Sequence, residues 1–364
     1  MNASDPLVQL RQLATAAEGH AREEHGQTLS PDGVPQIDRL LLAEGARADA
    51  ARREMLSACY GAWLGWLAIQ RWDSRWIGLS ESAPPRIWIA GLVFSPMDAV
   101  RRRLSDPKST PLPDVFQRID AWSKDQTAAR TRAAGRNREA WDALADDPRF
   151  AGGDATADPV ALDEWLRDEP LGGKQLLCLG AGGGRQGPLH ALTGAVVTVV
   201  DVSERQLDHD RKRGLQTLCA SMDKLDGLED ASFDVVVQPV SSCYVADLDR
   251  VHAEVARVLK PGGLYIVQHK QPASLQASTE GAYVVGFPCA EGAALTDQAA
   301  THREAGTTEF VHTLEALIGG LCRAGFVIEA FTEPPRGDAS APAGTPGHRA
   351  WYLPPYLKIK ARRK

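Results

Sequence analysis

Leu176–Asp201, LLCLGAGGGRQGPLHALTGAVVTVVD, holds the strongest local pattern in the chain. It opens on an apolar strand (Leu176, Leu177, Cys178, Leu179), turns through glycines from Gly180 to Gly184, continues as a helix, and returns as a strand, Val196 to Val200, that ends on Asp201. The glycines let a nucleoside ligand lie directly on the main chain, because a Cβ would hold it away and forbid the positive φ angles of the turn. An acid closing the second strand faces ribose hydroxyls.

Working outward, the 364 residues are 43% hydrophobic and 24% charged, enough for one sizeable core and room for a second. The net charge of -6 argues against nucleic acid as partner, and the basic tail from Lys358 to Lys364 reads as a solvated terminus. Six widely spaced cysteines without a C-x-x-C pair read as reduced core thiols. The N-terminus lacks a signal-peptide pattern and no run is long enough to span a bilayer, so the expected location is the cytoplasm, without membrane.

Upstream, residues 1–36 read as a loosely held, flexible segment. Residues 37–125 read as a small α+β domain: a helical face (Leu56, Cys59, Trp63, Leu64, Leu67), two short strands around Trp76 and Trp88, and a helix opened by Ser95-Pro96. Its tryptophans read as core rather than as a stacking platform. The G-x-x-x-G step from Gly61 to Gly65, the R-W pair Arg75-Trp76 and the Ser95-Pro96 turn running to Arg101–Arg103 resemble a small bacterial domain of unknown function, the DUF3806-like type. STPLPD then reads as a linker, followed by a charged helix and by a second helix beginning near Gly135.

Downstream of Asp201, strands and helices alternate: a helix with Ser203 as N-cap, a short strand in TLCASMDKL, the apolar strand FDVVVQPV, a helix stopped by Lys260-Pro261-Gly262-Gly263, and the strand LYIVQH. Gln271–Ala305 reads as loop or lid, and a helix, a strand and a last strand, RAWYLPPYLKIKA, close the chain. The alternation predicts a doubly wound, mostly parallel sheet.

From about Ala134 onward, this order of elements and the motifs on it resemble a class I S-adenosylmethionine-dependent methyltransferase. LGAGGG stands where that family carries G-x-G-x-G, Asp201 matches its ribose acid, Met222-Asp223 its adenine loop, Phe233-Asp234 its fourth-strand motif, and Leu259–Leu264 its LKPGG turn. The resemblance implies a seven-stranded Rossmann-like sheet with one antiparallel strand over residues 126–364. It implies S-adenosylmethionine as cofactor, held by Gly180, Ala181, Gly182, Gly184, Asp201, Val202, Met222, Asp223 and Gln238 under Trp141. One position departs: two residues before the first glycine, where an acid is usual, stands Cys178.

Methyl transfer from a sulfonium asks the fold mainly to align acceptor and methyl group, and a base is needed only when the acceptor is protonated. By position after strands four and five, the catalytic candidates are Tyr244 and His269, the latter beside Lys270; Arg303 and His312 stand further off. His190, His209 and His252 lack ligand-spaced partners, so no metal is expected. The expected acceptor is a small molecule, whose identity, like the oligomeric state, is not written in the sequence. Two other readings are a nicotinamide-dependent oxidoreductase, with Gly182, Gly184 and Gly187 in G-x-G-x-x-G and the first strand extended through Gly180 and Ala181, and a non-catalytic regulatory protein that keeps the cofactor fold.

Overall fold

A computed structural model describes residues 5–79, 84–152, 163–277, 291–295, 304 and 306–364. The chain forms two compact units, Met1–Ala129 and Arg130–Lys364.

In the first unit the segment from Asp5 onward, expected to be loosely held, is an ordered helix packed in the core. Helix α1 (Pro6–His25) is capped by Asp5, ends at Gly26 with φ +61°, and buries Leu10, Ala14, Ala17 and Ala21. The small residues recur at near-helical spacing, which leaves no large apolar signal in the sequence yet allows close packing on a neighbouring helix. Helices α2 (Val34–Gly45), α3 (Ala50–Arg71) and α4 (Pro96–Ser105) join α1 in one core, beside an antiparallel sheet of β1 (Ser74–Ile77), β2 (Arg86–Ile89) and β3 (Leu92–Phe94). Trp63, Trp72, Trp76 and Trp88 are buried in it, so they are core residues. The Gly61 to Gly65 step is a packing device: a Cβ on Gly65 would lie 2.1 Å from the Trp76 ring. His20, His25 and Glu44 bring donor atoms within 4.8 Å of one another. Arg47 and Arg52 already hold the two Glu44 oxygens at 2.8 and 2.9 Å, so guanidinium charge stands where a metal would.

Helix α5 (Leu112–Ala143) is a single helix. It replaces the expected linker and pair of helices, because an interior glycine such as Gly135 costs only about 1 kcal/mol against alanine.

The second unit is built on a seven-stranded sheet of β4 (Gln175–Leu179), β5 (Val196–Asp201), β6 (Gln216–Cys219), β7 (Phe233–Gln238), β8 (Leu259–Lys270), β11 (Phe326–Thr332) and β12 (Tyr356–Arg363). Their order is β11-β12-β8-β7-β4-β5-β6, and β12 runs antiparallel to both its neighbours while the other pairings are parallel. The strands are apolar on both faces because helices cover both. Leu177, Val236, Tyr265 and Val267 pack with α8 (Leu248–Val258) and α10 (Gly320–Arg323). Leu176, Cys178, Val197, Val199 and Ile266 pack on the other side, with Leu207 of α7 (Glu204–Arg211) and Ala191 of α6 (Gln186–Ala191).

The remaining pieces are α9 (Pro272–Gln276), the two-residue pair β9 (Ala293–Ala294) with β10 (Phe310–Val311), and α11 (Pro346–Tyr352). The expected last strand is therefore split: Thr345 caps α11, Pro346 takes its first turn, and only Tyr356 onward pairs in the sheet. Much of the expected lid, with Arg303, lies outside the described residues. No helix among the described residues is long and apolar enough to cross a membrane.

Candidate active site

Strand β4 stops at Leu179, and the chain turns at Gly180 with φ +61°, followed by Gly183 at +98° and Gly184 at +67°. An oxidoreductase register would carry the strand through Gly180 and Ala181, so this turn removes that reading. Two acids hold the loop. Asp201 Oδ2 accepts the Gly182 N–H at 3.0 Å while its Oδ1 accepts that of Ser203 at 3.0 Å, and Asp210 accepts the Gly184 N–H at 3.0 Å. Burial pushes the Asp201 carboxyl upward against these N–H bonds, and pushes Asp210 up to about 6. Cys178 is fully buried among Val197, Val199 and Val237, in the same apolar cluster as Ala181 of the loop, and Asp210 holds the loop's Gly184 N–H instead.

Beyond the loop, at the carboxyl ends of β4, β5, β7 and β8, lies a cavity of 420 Å³. Gly180, Ala181, Gly182, Asp201, Val202, Ser221 and Met222 line one end. Ala134, Asn137 and Trp141 of α5 also line it. Trp141 meets Phe150 and Tyr244 edge-on, with ring centroids 5.0 and 5.4 Å away. The helix end is pinned by Ser203 Oγ donating to Asp142 at 2.5 Å, by the Gln206 amide donating to Trp141 O, and by Asn137, which bonds Thr308 and the Tyr244 carbonyl.

The far end carries Tyr244, Gln268, Lys270, Glu304, Arg336 and Tyr356. The Tyr244 hydroxyl donates to Glu304 Oε2 at 2.5 Å, and Lys270 Nζ donates to the same oxygen at 3.0 Å and to Glu309 Oε1 at 2.6 Å. Burial acts to raise the Glu304 carboxyl, but Lys270 and the Tyr244 hydrogen bond bring it below the ordinary range. Burial pushes Tyr244 well up, and Lys270 is pushed up in spite of burial by the groups around it, Cys243, Glu309 and Glu304.

Several expected residues fall elsewhere. His269 is 1% exposed, bonds Ser242 Oγ through Nδ1 at 2.6 Å, and meets the His252 ring edge-on. Neighbouring side chains on a strand point to opposite faces, so Lys270 meets the cavity and His269 does not. Gln238 turns away likewise, receiving the Tyr265 hydroxyl at 2.5 Å and donating to Ser241 and Met222. Asp223 takes the Ser221 hydroxyl, and Gly184 is turned to Asp210; neither lines the cavity. His312 is buried against Glu291, His209 bonds the Ala145 carbonyl, and His190 sits buried on α6. Glu304, Asn137, Arg336 and Tyr356 carried no sequence signal, since each reaches the cavity from a loop, a helix or a strand end outside any motif.

The family profile described as "Methyltransferase domain" matches residues 177–267. The methyltransferase YbaJ of Bacillus subtilis (strain 168) is 39% identical over 180 residues, covering 45% of this chain and 70% of that one. The 24-methylenesterol C-methyltransferase 2 of Oryza sativa subsp. japonica is 36% identical over 105 residues, 26% of this chain and 28% of that protein. Among solved structures, an S-adenosylmethionine dependent methyltransferase from Mesorhizobium loti aligns with TM-score 0.45 and 25% identity, covering 56% of this chain and 100% of that one. The turn at Gly180, the strand order and the YbaJ match agree on one assignment: the chain belongs to the class I S-adenosylmethionine-dependent methyltransferases.

Proposed function

We propose that the cavity of the second unit holds S-adenosylmethionine at its glycine end and a small-molecule acceptor at its Tyr244 end. The observation that carries this reading is the continuity of a single cavity from Asp201 and Met222 to Tyr244, Lys270 and Tyr356. The residues fit the group. Gly180, Ala181 and Gly182 present bare main chain, the Asp201 carboxylate suits a ribose, Val202 and Met222 give an apolar seat for a purine, and Trp141 lies over it. When bound there, the cofactor supplies an activated methyl group on sulfur. The chain's own work is to orient: Trp141 and Phe150 keep water out, and the ring of Tyr244 shapes the acceptor wall. A cavity of 420 Å³ is within the range of small-ligand sites.

Calorimetric titration tests the cofactor end: S-adenosylhomocysteine is expected to bind and NAD is not, and the reverse result would sink the assignment. Asp201→Ala is expected to weaken S-adenosylhomocysteine by about one to two decades, the worth of charge-assisted bonds of roughly 1.5–3 kcal/mol. Part of that loss comes through Gly182, whose N–H the carboxylate holds. Unchanged affinity with lowered thermal stability would reduce Asp201 to a loop anchor.

A further inference from the structure

We propose that Glu304 is the general base of the reaction, taking the proton of an acceptor O–H or N–H through Oε1. The proposal rests on the preceding reading of the cavity, and it says which class of acceptor that cavity takes: a neutral, protonated heteroatom nucleophile.

Geometry separates the two oxygens of this carboxylate. Oε2 receives both the Tyr244 hydroxyl and the Lys270 ammonium, whereas Oε1 takes no bond from another described residue, on a side chain that lines the acceptor end. A carboxylate fixed through one oxygen and open at the other is oriented as a proton acceptor. Its holders are themselves held. Lys270 is anchored by the fully buried Glu309, and the Tyr244 backbone is anchored by Asn137. Lys270 and Tyr244 are thus positioning residues.

An ion pair serving stability alone would need only Lys270 and Glu309. Glu304 brings a second carboxyl to the same buried ammonium, and burial together with the neighbouring Glu304 pushes the Glu309 carboxyl upward while Glu304 is held low. The other groups around the acceptor end are unsuited to the task. Lys270 stays an ammonium, the Tyr244 phenol and the buried Cys243 thiol stay protonated, and Arg149 is a cation tied to Asp147. His269 faces away. Asp201, the other carboxylate among the described lining residues, sits at the glycine end. Against its burial, Lys270 and the Tyr244 hydrogen bond hold the Glu304 carboxyl below its ordinary range, the direction a base in this place requires.

The step balances without a further reagent. The acceptor's lone pair forms the bond to the methyl carbon, the carbon–sulfur bond breaks with its electron pair going to sulfur, and the acceptor's proton passes to Glu304 Oε1. The carboxylic acid then releases that proton to solvent.

The test uses the full chain, tritiated-methyl cofactor and three probes: p-cresol, benzylamine, and 4-nitrophenol at a pH where it is already ionised. The wild type is expected to methylate p-cresol or benzylamine. Glu304→Gln, which can still accept from Tyr244 and Lys270, is expected to lose about a hundredfold or more in kcat on the protonated probe. It should keep most of its rate on 4-nitrophenolate, which has no proton to give, and its S-adenosylhomocysteine affinity and Tm should match the wild type. Glu304→Asp should recover part of the loss. An equal loss on protonated and ionised phenols would make Glu304 a structural residue and overturn the proposal, as would no loss at all. If the wild type binds S-adenosylhomocysteine yet methylates none of the probes, the small-molecule reading fails first and the base assignment falls with it.

Discussion

Gly180→Val is expected to reduce S-adenosylhomocysteine affinity by more than about a hundredfold, equivalent to roughly 3 kcal/mol. Three costs act together at this position. The backbone sits at φ +61°, where a β-branched residue is strained by about 1–3 kcal/mol. A Cβ there would lie 2.7 Å from Ser241 Oγ and 3.0 Å from Met222 Cε, so the walls that meet beside the loop must separate. Ser241 also receives the Gln238 amide, so pushing it disturbs the buried Gln238–Tyr265 bond behind the cavity. Calorimetry reports the affinity, and circular dichroism reports whether the sheet survives. A variant that stays folded and binds as tightly as the wild type would show that the cofactor does not lie on this loop.

Arg103→Met should destabilise the first unit by about 3–5 kcal/mol, the usual cost of removing one partner of a buried ion pair. Arg103 and Asp38 are both nearly buried and make two bonds of 2.8 Å, while Arg103 also donates to the carbonyls of Pro107 and Ser109. Asp38 Oδ1 in turn accepts the Leu112 N–H at the start of α5. Methionine fills much of the volume but leaves the Asp38 carboxylate without its cation. The unfolding transition of this unit should fall by roughly 10 °C or more for a unit of this size. The double change Asp38→Leu with Arg103→Met should recover much of the loss, because two apolar groups need no partners. Every described residue lining the cavity lies at or beyond Ala134, so S-adenosylhomocysteine affinity should be unchanged in Arg103→Met. A matching fall in affinity would show that the first unit supports the site.

Features set by local chemistry are legible in the chain before it folds. A glycine that must take positive φ, an acid at the end of a strand, a serine that caps a helix by accepting the Gln206 N–H, and apolar runs covered on both faces are readable in place. These were enough for the order of the sheet's elements and for the family. Tertiary structure decided what depends on facing and on long-range meeting. His269 and Lys270 are adjacent in the chain, and only the placement of β8 between β7 and β12 sends the lysine to the cavity and the histidine into the interior. Asn137 bonds Thr308 across 171 positions, and Lys270 meets Glu309 across 39, separations over which no periodicity carries information. Small-residue packing acts in the opposite direction: residues 1–36 read as a loosely held segment, yet Ala14, Ala17 and Ala21 let α1 lie close enough to join a core. The glycine end of the cavity, with the bare main chain of Gly180 to Gly182 and the strand-end acid Asp201, is legible in the sequence, whereas the Tyr244 end is lined by side chains gathered by the fold.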